Sequence, residues 1–274
     1  MNRVRVPVCS STQRLLAFLA LQDMPRSRTY VAGVLWPDVT AARAHANLRS
    51  SLWRATQTGH GVIVASAQEL AISEHISVDL HEAVANAHRL LDNARPCDDI
   101  LTTRTLANLS ADLLPEWSEN DWMLIEQEQY HQLRLYALEA MTERLSAARR
   151  HGEAVAAGIA VVRAEPLRES AHRVLVRAHL AAGNRAAALR QYEQCRRVLR
   201  EELGLEPSPS LKALLPPYND HHSRSGHHHE PAGRPRPQPQ PRSQAQPGSQ
   251  AQPGPQPRPQ VPPQPQPRVS PVEA

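Results

Sequence analysis

The chain has 274 residues, a net charge of +4 and 4% aromatic residues, a length that accommodates two small domains and a tail. Cys9, Cys97 and Cys195 lie far apart and form no Cys-x-x-Cys pair, which argues against a disulfide framework and against a thiolate zinc site. No apolar run approaches the roughly 20 residues of a membrane span, and the first residues lack the apolar core of a signal peptide. We therefore expect a cytoplasmic protein without a membrane segment.

The charge is unevenly distributed along the chain. Residues 1–79 contain eight basic and five acidic side chains, a net charge of +3, whereas residues 80–215 contain 17 basic and 19 acidic ones, a net charge of −2. Within residues 1–60, eight basic side chains stand against two acidic ones, a net charge of +6. This distribution indicates that the first part binds a polyanion and that the second part binds protein.

Three short helices are predicted in the N-terminal part. The first is STQRLLAFLALQ, which begins with capping-type residues. The second begins after Ser27, a candidate N-cap, and ends at Pro37. The third is capped by Asp38 or Thr40 and contains ARAHANLRSSLWRAT, residues 42–56.

Two short strands are predicted to follow these helices. GVIVAS and ELAIS, residues 61–66 and 69–73, have β-type composition and are separated by a polar step. Three helices followed by a hairpin is the order of a winged helix. A three-helix bundle with a β-appendage is the alternative, and the hairpin together with the charge favours the winged helix.

The third helix has two distinct faces when successive residues are placed about 100° apart. The face expected to pack against the first two helices contains Ala41, Ala44, Leu48, Ser51, Leu52 and Ala55. The outward face contains Ala46, Trp53 and the predicted base-reading residues Arg43, Asn47, Arg49, Ser50 and Arg54. Arg and Asn form paired hydrogen bonds with guanine and adenine edges in the major groove, into which a helix fits. Trp53 is expected to pack under the wing of the domain.

A solvated helix face is the alternative interpretation of this pattern, and the neighbouring elements and the local charge favour DNA binding. The start of the second helix offers free backbone N–H groups beside basic and hydroxyl side chains, which suits phosphate. The predicted phosphate-binding residues are Arg26, Ser27, Arg28 and Thr29. The hairpin tip, Ser66 to Gln68, is expected to touch a flanking backbone or a minor groove.

Residues 79–215 are predicted to be helical throughout. Amphipathic runs occupy residues 79–94, 103–117 and 120–133. The shift that moves position 145 onto position 179 aligns LSAARRHGEA with HLAAGNRAAA, and it places Met141 on Leu175 and Val161 on Cys195. A helix, a turn and a second helix that recur with a period of about 34 residues are typical of tetratricopeptide repeats.

From residue 216 the chain consists mainly of Pro, Gln, Arg and Gly, which predicts a disordered tail with polyproline-II character. A solubilising role is favoured over recognition by proline-binding domains. No phosphate-binding glycine loop, H-E-x-x-H or G-x-S-x-G motif is present. Glu126, Glu128 and His131 are interpreted as a solvated helix face, so neither an enzyme nor a cofactor nor a metal is predicted.

Several blocks of the sequence, in order, resemble the Streptomyces antibiotic regulatory proteins, the SARP family. They are STQRLLAFLAL, VAGVLWPD, ANLRSSLWR, DLLPEW, DWMLIEQEQYHQLRLYALEAMTERL, EPLRESAHRVLVRAHLAAGNRAAALRQY and LREELGLEPSPSL. The resemblance covers about residues 10–215 and implies a mainly α protein. An OmpR-like winged helix, residues 1–78, would precede an all-α bacterial transcriptional activator domain with tetratricopeptide-like repeats, residues 79–215, and the tail of residues 216–274 lies outside the pattern.

The resemblance also implies a function. Members activate secondary-metabolite genes, such as those for antibiotics, by binding double-stranded DNA at direct repeats near promoters and by contacting RNA polymerase. The ATPase module of larger members would follow residue 215 and does not occur here, so ATP use is not expected. A sequence-specific activator that self-associates as a homodimer is therefore the leading hypothesis.

One departure from the family pattern concerns the N-terminus. Family members have several β-strands before the first helix, and this sequence has only MNRVRVPVC there. We therefore expect a winged helix truncated at its N-terminus, in which Leu16, Leu19 or their neighbours are left uncovered. The alternative function is a protein-interaction adaptor whose truncated winged helix no longer binds DNA.

Overall fold

A computed structural model describes residues 6–57, 61–117 and 121–215. All of these residues belong to one compact unit, Met1–Asn219. The predicted tail of residues 216–274 lies outside the described residues. Within the described ranges, no helix is long and apolar enough to cross a membrane. The mainly α fold class predicted from the sequence is confirmed.

The N-terminal part contains the three predicted helices and the predicted hairpin. In chain order its elements are α1 Ser10–Ala20, β1 Arg26–Ser27, α2 Arg28–Leu35, α3 Ala41–Thr56, β2 Ile63–Ala65 and β3 Glu69–Ile72. The strand β1 was not predicted, because two residues are too short to show a period. It pairs antiparallel with β3, with Arg26 opposite Leu70, so that the sheet has the order β1-β3-β2.

The caps of these helices agree with the sequence only in part. The Ser27 hydroxyl accepts a hydrogen bond from the Tyr30 N–H at 3.2 Å and caps α2, as predicted. Thr40 is the N-cap residue of α3, although its side chain makes no capping hydrogen bond. The first helix differs from the prediction, because its N-cap is Cys9 and the serines and threonine that follow lie inside the helix.

The three helices enclose a small apolar core. Its buried members are Leu15, Phe18, Leu19, Val31, Ala32, Leu35, Ala44, Leu48 and Leu70. The helix α3 buries Ala44, Leu48, Ser51 and Ala55, which confirms most of the predicted inner face. Leu52 is half-buried, and Ala41 is exposed because it is the first residue of the helix.

The rest of the described chain is helical. The helices are α4 Asp79–Leu91, α5 Thr103–Ser110, α6 Asp121–Ala147, α7 His151–Ala164, α8 Glu169–Ala181, α9 Arg185–Leu203 and α10 Pro209–Lys212, with 3-10 turns at Asp98–Ile100 and Pro115–Trp117. The predicted helix over residues 103–117 is wrong in its second half, because α5 ends at Ser110. Pro115 disfavours helical backbone at the preceding residue, and Leu114 has a φ of 42°.

The expected exposure of the first helix is also wrong for Leu19, which is 1% exposed, whereas Leu16 is half-buried. The ring of Phe18 meets the indole of Trp122 edge-on, with 5.3 Å between centroids. Trp122 belongs to α6 and packs against the core around Leu19. Residues 6–9 form no strand, and the first five residues lie outside the described part of the chain.

The predicted repeat reappears in the helix boundaries. The helices α6 and α8 end at Ala147 and Ala181, and α7 and α9 begin at His151 and Arg185. The two helix ends are 34 residues apart, and so are the two helix starts. This distance equals the shift that aligns position 145 with position 179 in the sequence. The paired core positions Met141 and Leu175, and Val161 and Cys195, are all buried.

The two turns between these helices also correspond. Gly183 has a φ of 74°, and Arg149, at the equivalent position of the preceding turn, has a φ of 59°. In the second turn the Asn184 side chain accepts a hydrogen bond from the Ala187 N–H at 3.1 Å and caps α9. Both turns therefore contain a residue with a left-handed backbone conformation, and only the second turn has a glycine at that position.

We expect Arg149→Gly to stabilise the protein by about 0.5–1 kcal/mol, because left-handed backbone costs a non-glycine residue about 1–2 kcal/mol and the added flexibility of the unfolded chain offsets part of the gain. Arg149→Ala removes the same charge without relieving the backbone and should give no such gain. Gly183→Ala should destabilise by about 1 kcal/mol. Urea unfolding followed by circular dichroism measures all three, and equal effects of the two Arg149 variants would contradict the argument.

A second prediction concerns the close contact between α7 and α8. A Cβ atom added at Gly158 would lie 2.9 Å from Leu175 Cδ1 and 3.3 Å from its Cα, whereas one added at Gly152 has open space. We expect Gly158→Ala to destabilise by about 1–3 kcal/mol through overpacking. Gly152→Ala, in the same helix, should be neutral or stabilise by up to about 1 kcal/mol. A Gly158→Ala variant as stable as Gly152→Ala would refute the close packing.

Candidate nucleic-acid interface

The outward face of α3 presents the predicted base-reading residues. Arg43, Arg49, Ser50 and Arg54 are exposed, and Asn47 is half-buried. The Ser50 hydroxyl donates to the Ala46 carbonyl at 3.0 Å, which keeps this short side chain against the helix. Ala42, Ala46 and Ser50 therefore form a low strip along the helix, flanked by longer side chains, and such a strip allows close approach to a ligand surface.

The longer side chains divide into two edges. On one edge, Arg54 extends towards the start of α1, where its Nη1 donates to the Ser11 hydroxyl at 3.3 Å and lies 3.8 Å from Cys9 Sγ. On the other edge, Arg49 faces the wing, by which we mean β2, β3 and the turn Ser66–Gln68 between them. Arg43 and Asn47 make no side-chain hydrogen bond to any described residue.

The four predicted phosphate-binding residues have different surroundings. Arg26 Nε donates to Gln22 Oε1 at 2.6 Å, and its guanidinium lies 5.8 Å from the ring centroid of Tyr30. Ser27 caps α2 through its hydroxyl. Arg28 is tied to the wing, because its Nε donates to the Ser66 carbonyl at 2.9 Å and its backbone N–H to the Gln68 carbonyl at 2.8 Å. Thr29 is exposed.

Three of these residues lie around one surface concavity of about 520 Å³. Its polar lining consists of Ser27, Arg28, Thr29, His45, Arg49 and Gln68. The structure thus brings the start of α2 together with α3 and the wing tip, whereas Arg26 turns away towards Gln22. Sequence reasoning missed His45, although it stands one turn before Arg49 on the same side of the helix.

The arginines of the N-terminal part differ from those of the helical part in their partners. Within residues 6–57 and 61–78, no described carboxylate lies within 4.0 Å of an arginine; the arginines concerned are Arg14, Arg26, Arg28, Arg43, Arg49 and Arg54. In the helical part Arg89, Arg104 and Arg168, for example, each lie 2.7 Å from a carboxylate oxygen. The arginines around α3 therefore form no close ion pair within the described part of the chain.

The position of Trp53 corrects the sequence-based expectation. Its side chain is 63% exposed and does not pack under the wing. The preceding residue, Leu52, is half-buried and packs against the core of the N-terminal part instead. A cavity of about 310 Å³ separates this end of α3 from β2, and Trp53 lines it together with Arg28, Arg49 and Ile63.

Cys9 has an unusual environment for an exposed thiol. Its sulfur lies 3.4 Å from the Ser11 hydroxyl and 3.3 Å from the Thr12 hydroxyl at the start of α1. The pKa of Cys9 is lowered to about 6, first by the hydrogen bond with Ser11, then by those with Thr12, with a smaller contribution from Arg54. Burial instead raises the pKa of Cys195 to about 12. Sequence reasoning treated the three cysteines alike and missed this difference.

Comparison with protein families gives a match to the helical part of the chain. Residues 77–215 match the family described as bacterial transcriptional activator domain.

Comparison with curated proteins places two similar proteins beside this chain. It is 29% identical over 214 residues to the regulatory protein AfsR of Streptomyces coelicolor, and 30% identical over 215 residues to the regulatory protein AfsR of Streptomyces griseus. Each alignment covers 73% of this chain and 21% of the relative. The chain thus spans about a fifth of the length of these two relatives.

A solved structure with a similar fold is Mycobacterium tuberculosis EmbR in complex with a low-affinity phosphopeptide. The TM-score is 0.56 at 21% sequence identity, and the alignment covers 76% of this chain and 59% of that chain. At this level of identity the likeness concerns the fold alone.

We expect Cys9 to react with iodoacetamide as a thiolate at neutral pH, because its pKa is lowered to about 6 and the thiolate is the nucleophile. The rate should therefore rise between about pH 5 and pH 7 and then level off, measured by mass spectrometry of the labelled peptide. Ser11→Ala removes the largest contribution and should move the midpoint to higher pH. The buried Cys97 and Cys195 serve as internal controls, and a Cys9 midpoint of about 8.5 in the unmodified protein would refute the assignment.

Proposed function

Because the chain belongs to the SARP family of transcriptional regulators, which contain a bacterial transcriptional activator domain, we propose that it is a sequence-specific activator that binds double-stranded DNA through α3. The observation that favours DNA is the outward face of α3, where exposed arginines without described carboxylate partners flank a strip of small side chains. A helix of this kind fits the major groove.

We propose distinct roles for the residues of this face. Ser50 belongs to the low strip and Arg43 and Asn47 flank it, and these three residues are proposed to read base edges. Arg49 and Arg54 lie at the two edges of the face. Arg and Asn suit guanine and adenine because their planar groups form paired hydrogen bonds. Ala42 and Ala46 support this role because they allow the helix to approach the bases closely.

The start of α2 is proposed as a phosphate anchor. Ser27, Arg28 and Thr29 line the concavity that also includes His45 and Arg49. The N–H groups of Arg28 and Tyr30 already donate to the Gln68 carbonyl and the Ser27 hydroxyl, so the proposed anion contacts are the N–H of Thr29 and the guanidinium of Arg28. The hydrogen bonds of Arg28 to the wing hold this end of α2 in place. Contacts of this type fix the position of a protein on DNA without reading the sequence. Arg26 is proposed as an outer contact, since it is exposed but engaged with Gln22.

The helical part is proposed to contact RNA polymerase and to support homodimer formation. Nine of its sixteen arginines lie within 4.0 Å of a carboxylate oxygen, which suits protein contacts better than a polyanion. The helix pairs α6–α7 and α8–α9 recur with the spacing of tetratricopeptide repeats, whose stacked helices form extended binding surfaces. By family resemblance, the target genes are proposed to be those of secondary metabolism, such as antibiotic biosynthesis, with direct repeats near the promoter.

The test is selection of bound duplexes from a random DNA library by the whole chain, followed by mobility-shift titrations on the selected duplex. We expect one preferred sequence and a steep loss of affinity with salt, because neutralised phosphates release counterions. Arg43→Ala and Asn47→Ala should each weaken binding by about 1–3 kcal/mol and relax the preference at one base pair.

Arg197→Ala in α9 is the matched control, because Arg197 is an exposed arginine outside the proposed interface and its replacement removes the same charge. Equal effects of Arg43→Ala and Arg197→Ala would reject α3 as the reading helix. Absence of any enriched duplex would reject DNA binding and favour the adaptor interpretation.

A further inference from the structure

A cleft separates the last turns of α3 from the wing. Its walls include Trp53, Leu52 and Arg49 from α3 and Ile63 from β2, and Arg28 also contributes to its lining. The volume of the cleft is about 310 Å³. We refer to it as the α3–wing cleft.

The walls of the cleft offer two kinds of contact side by side. The apolar contact is the indole of Trp53, which is 63% exposed. The cationic contacts are Arg49, which has no described carboxylate partner, and Arg28, whose Nε is used by the Ser66 carbonyl and whose terminal amino groups remain. An occupant that suits these walls has anionic groups at short intervals with apolar surface between them.

The geometry of a DNA complex places such an occupant there. When α3 lies in a major groove and the wing touches the adjoining minor groove, the strand that separates the two grooves passes between them. That strand is a sugar–phosphate backbone, in which deoxyribose surfaces alternate with single negative charges. The net charge of +6 within residues 1–60 is complementary to it.

We infer that the α3–wing cleft binds one sugar–phosphate strand of the duplex, with Trp53 packed on a deoxyribose and with Arg49 and Arg28 on the flanking phosphates. This inference rests on the proposed DNA binding and refines it. Arg49 then contributes affinity rather than base reading, because phosphate contacts do not report sequence. Trp53 likewise contributes to binding of every duplex.

The position of Trp53 favours the sugar over a base edge. Trp53 lies in the last turn of α3 and lines the cleft together with Ile63 of β2, whereas Ala46, two turns earlier on the same side of the helix, belongs to the strip that approaches the bases. A thymine methyl group is the base feature that an apolar side chain reads in the major groove. The two possibilities differ in their dependence on sequence, and this difference provides the test.

The experiment compares Trp53→Ala, Trp53→Phe and Arg49→Ala with the unchanged chain on the selected duplex and on an unrelated duplex of the same length. We expect Trp53→Ala to weaken both complexes by the same factor, about fivefold, and Trp53→Phe to retain most of the affinity. Arg49→Ala should weaken both complexes equally and lower the slope of log affinity against log salt by about 1. Arg197→Ala should leave the slope unchanged.

A second set of titrations replaces each thymine of the selected duplex by deoxyuridine, which removes only the methyl group. We expect the effect of Trp53→Ala to persist at every replacement. Loss of that effect at one position would assign Trp53 to a thymine methyl and overturn the inference. An effect of Trp53→Ala or Arg49→Ala on the selected duplex alone would overturn it as well.

The failure of this inference is distinguishable from failure of the proposed function. If the unchanged chain binds no duplex, DNA binding itself is rejected. If the chain binds DNA and the variants at Trp53 and Arg49 bind as tightly as it does, only the role of the cleft is rejected. Circular dichroism of each variant verifies that the fold is retained, which is expected because both side chains are exposed.

Discussion

The burial of Ala44 and Leu48 in the core that α3 shares with α1 and α2 fixes the rotation of α3 about its own axis. A rotation by one residue, about 100°, would bring an arginine into the core, where an unpaired charge is strongly disfavoured. The outward face and both of its edges are therefore set by packing. The hydrogen bonds of Arg28 to the wing set the position of the wing relative to the start of α2 in the same way.

The partners of the arginines differ between the N-terminal part and the helical part. In the helical part, carboxylates such as Glu139 and Asp99 neutralise neighbouring guanidinium groups. Around α3, the described arginines bind carbonyl, amide, hydroxyl or thiol groups or remain exposed. Neutral acceptors orient a guanidinium without cancelling its charge, so the field that attracts an anion is preserved.

Periodic patterns in the sequence predicted the features that depend on neighbouring residues of one helix. The features that were not predicted depend on contacts between distant parts of the chain. The inner face of α3 and the repeat of the helical part follow from periodicity, and both reappear in the structure. The two-residue strand β1 exists because Arg26 lies opposite Leu70, a pairing that periodicity does not contain. Trp122 of α6 packs against the core that contains Phe18 and Leu19. Because Trp122 is about 100 residues further along the chain, the pattern of the first helix alone could not predict the burial of Leu19. Trp53 is exposed because the neighbouring Leu52, and not Trp53, packs against the N-terminal core.

The contacts of α1 join the N-terminal part of the chain to the helical part. On its C-terminal half, Phe18 meets Trp122 of α6, and the Ala20 carbonyl accepts a hydrogen bond from His81 Nε2 of α4 at 2.7 Å. On its N-terminal half, the Thr12 hydroxyl donates to the Ser51 carbonyl of α3 at 3.4 Å. A displacement of the N-terminus of α6 would therefore act on α1 directly, and α1 in turn holds the end of α3 that bears Trp53 and Arg54.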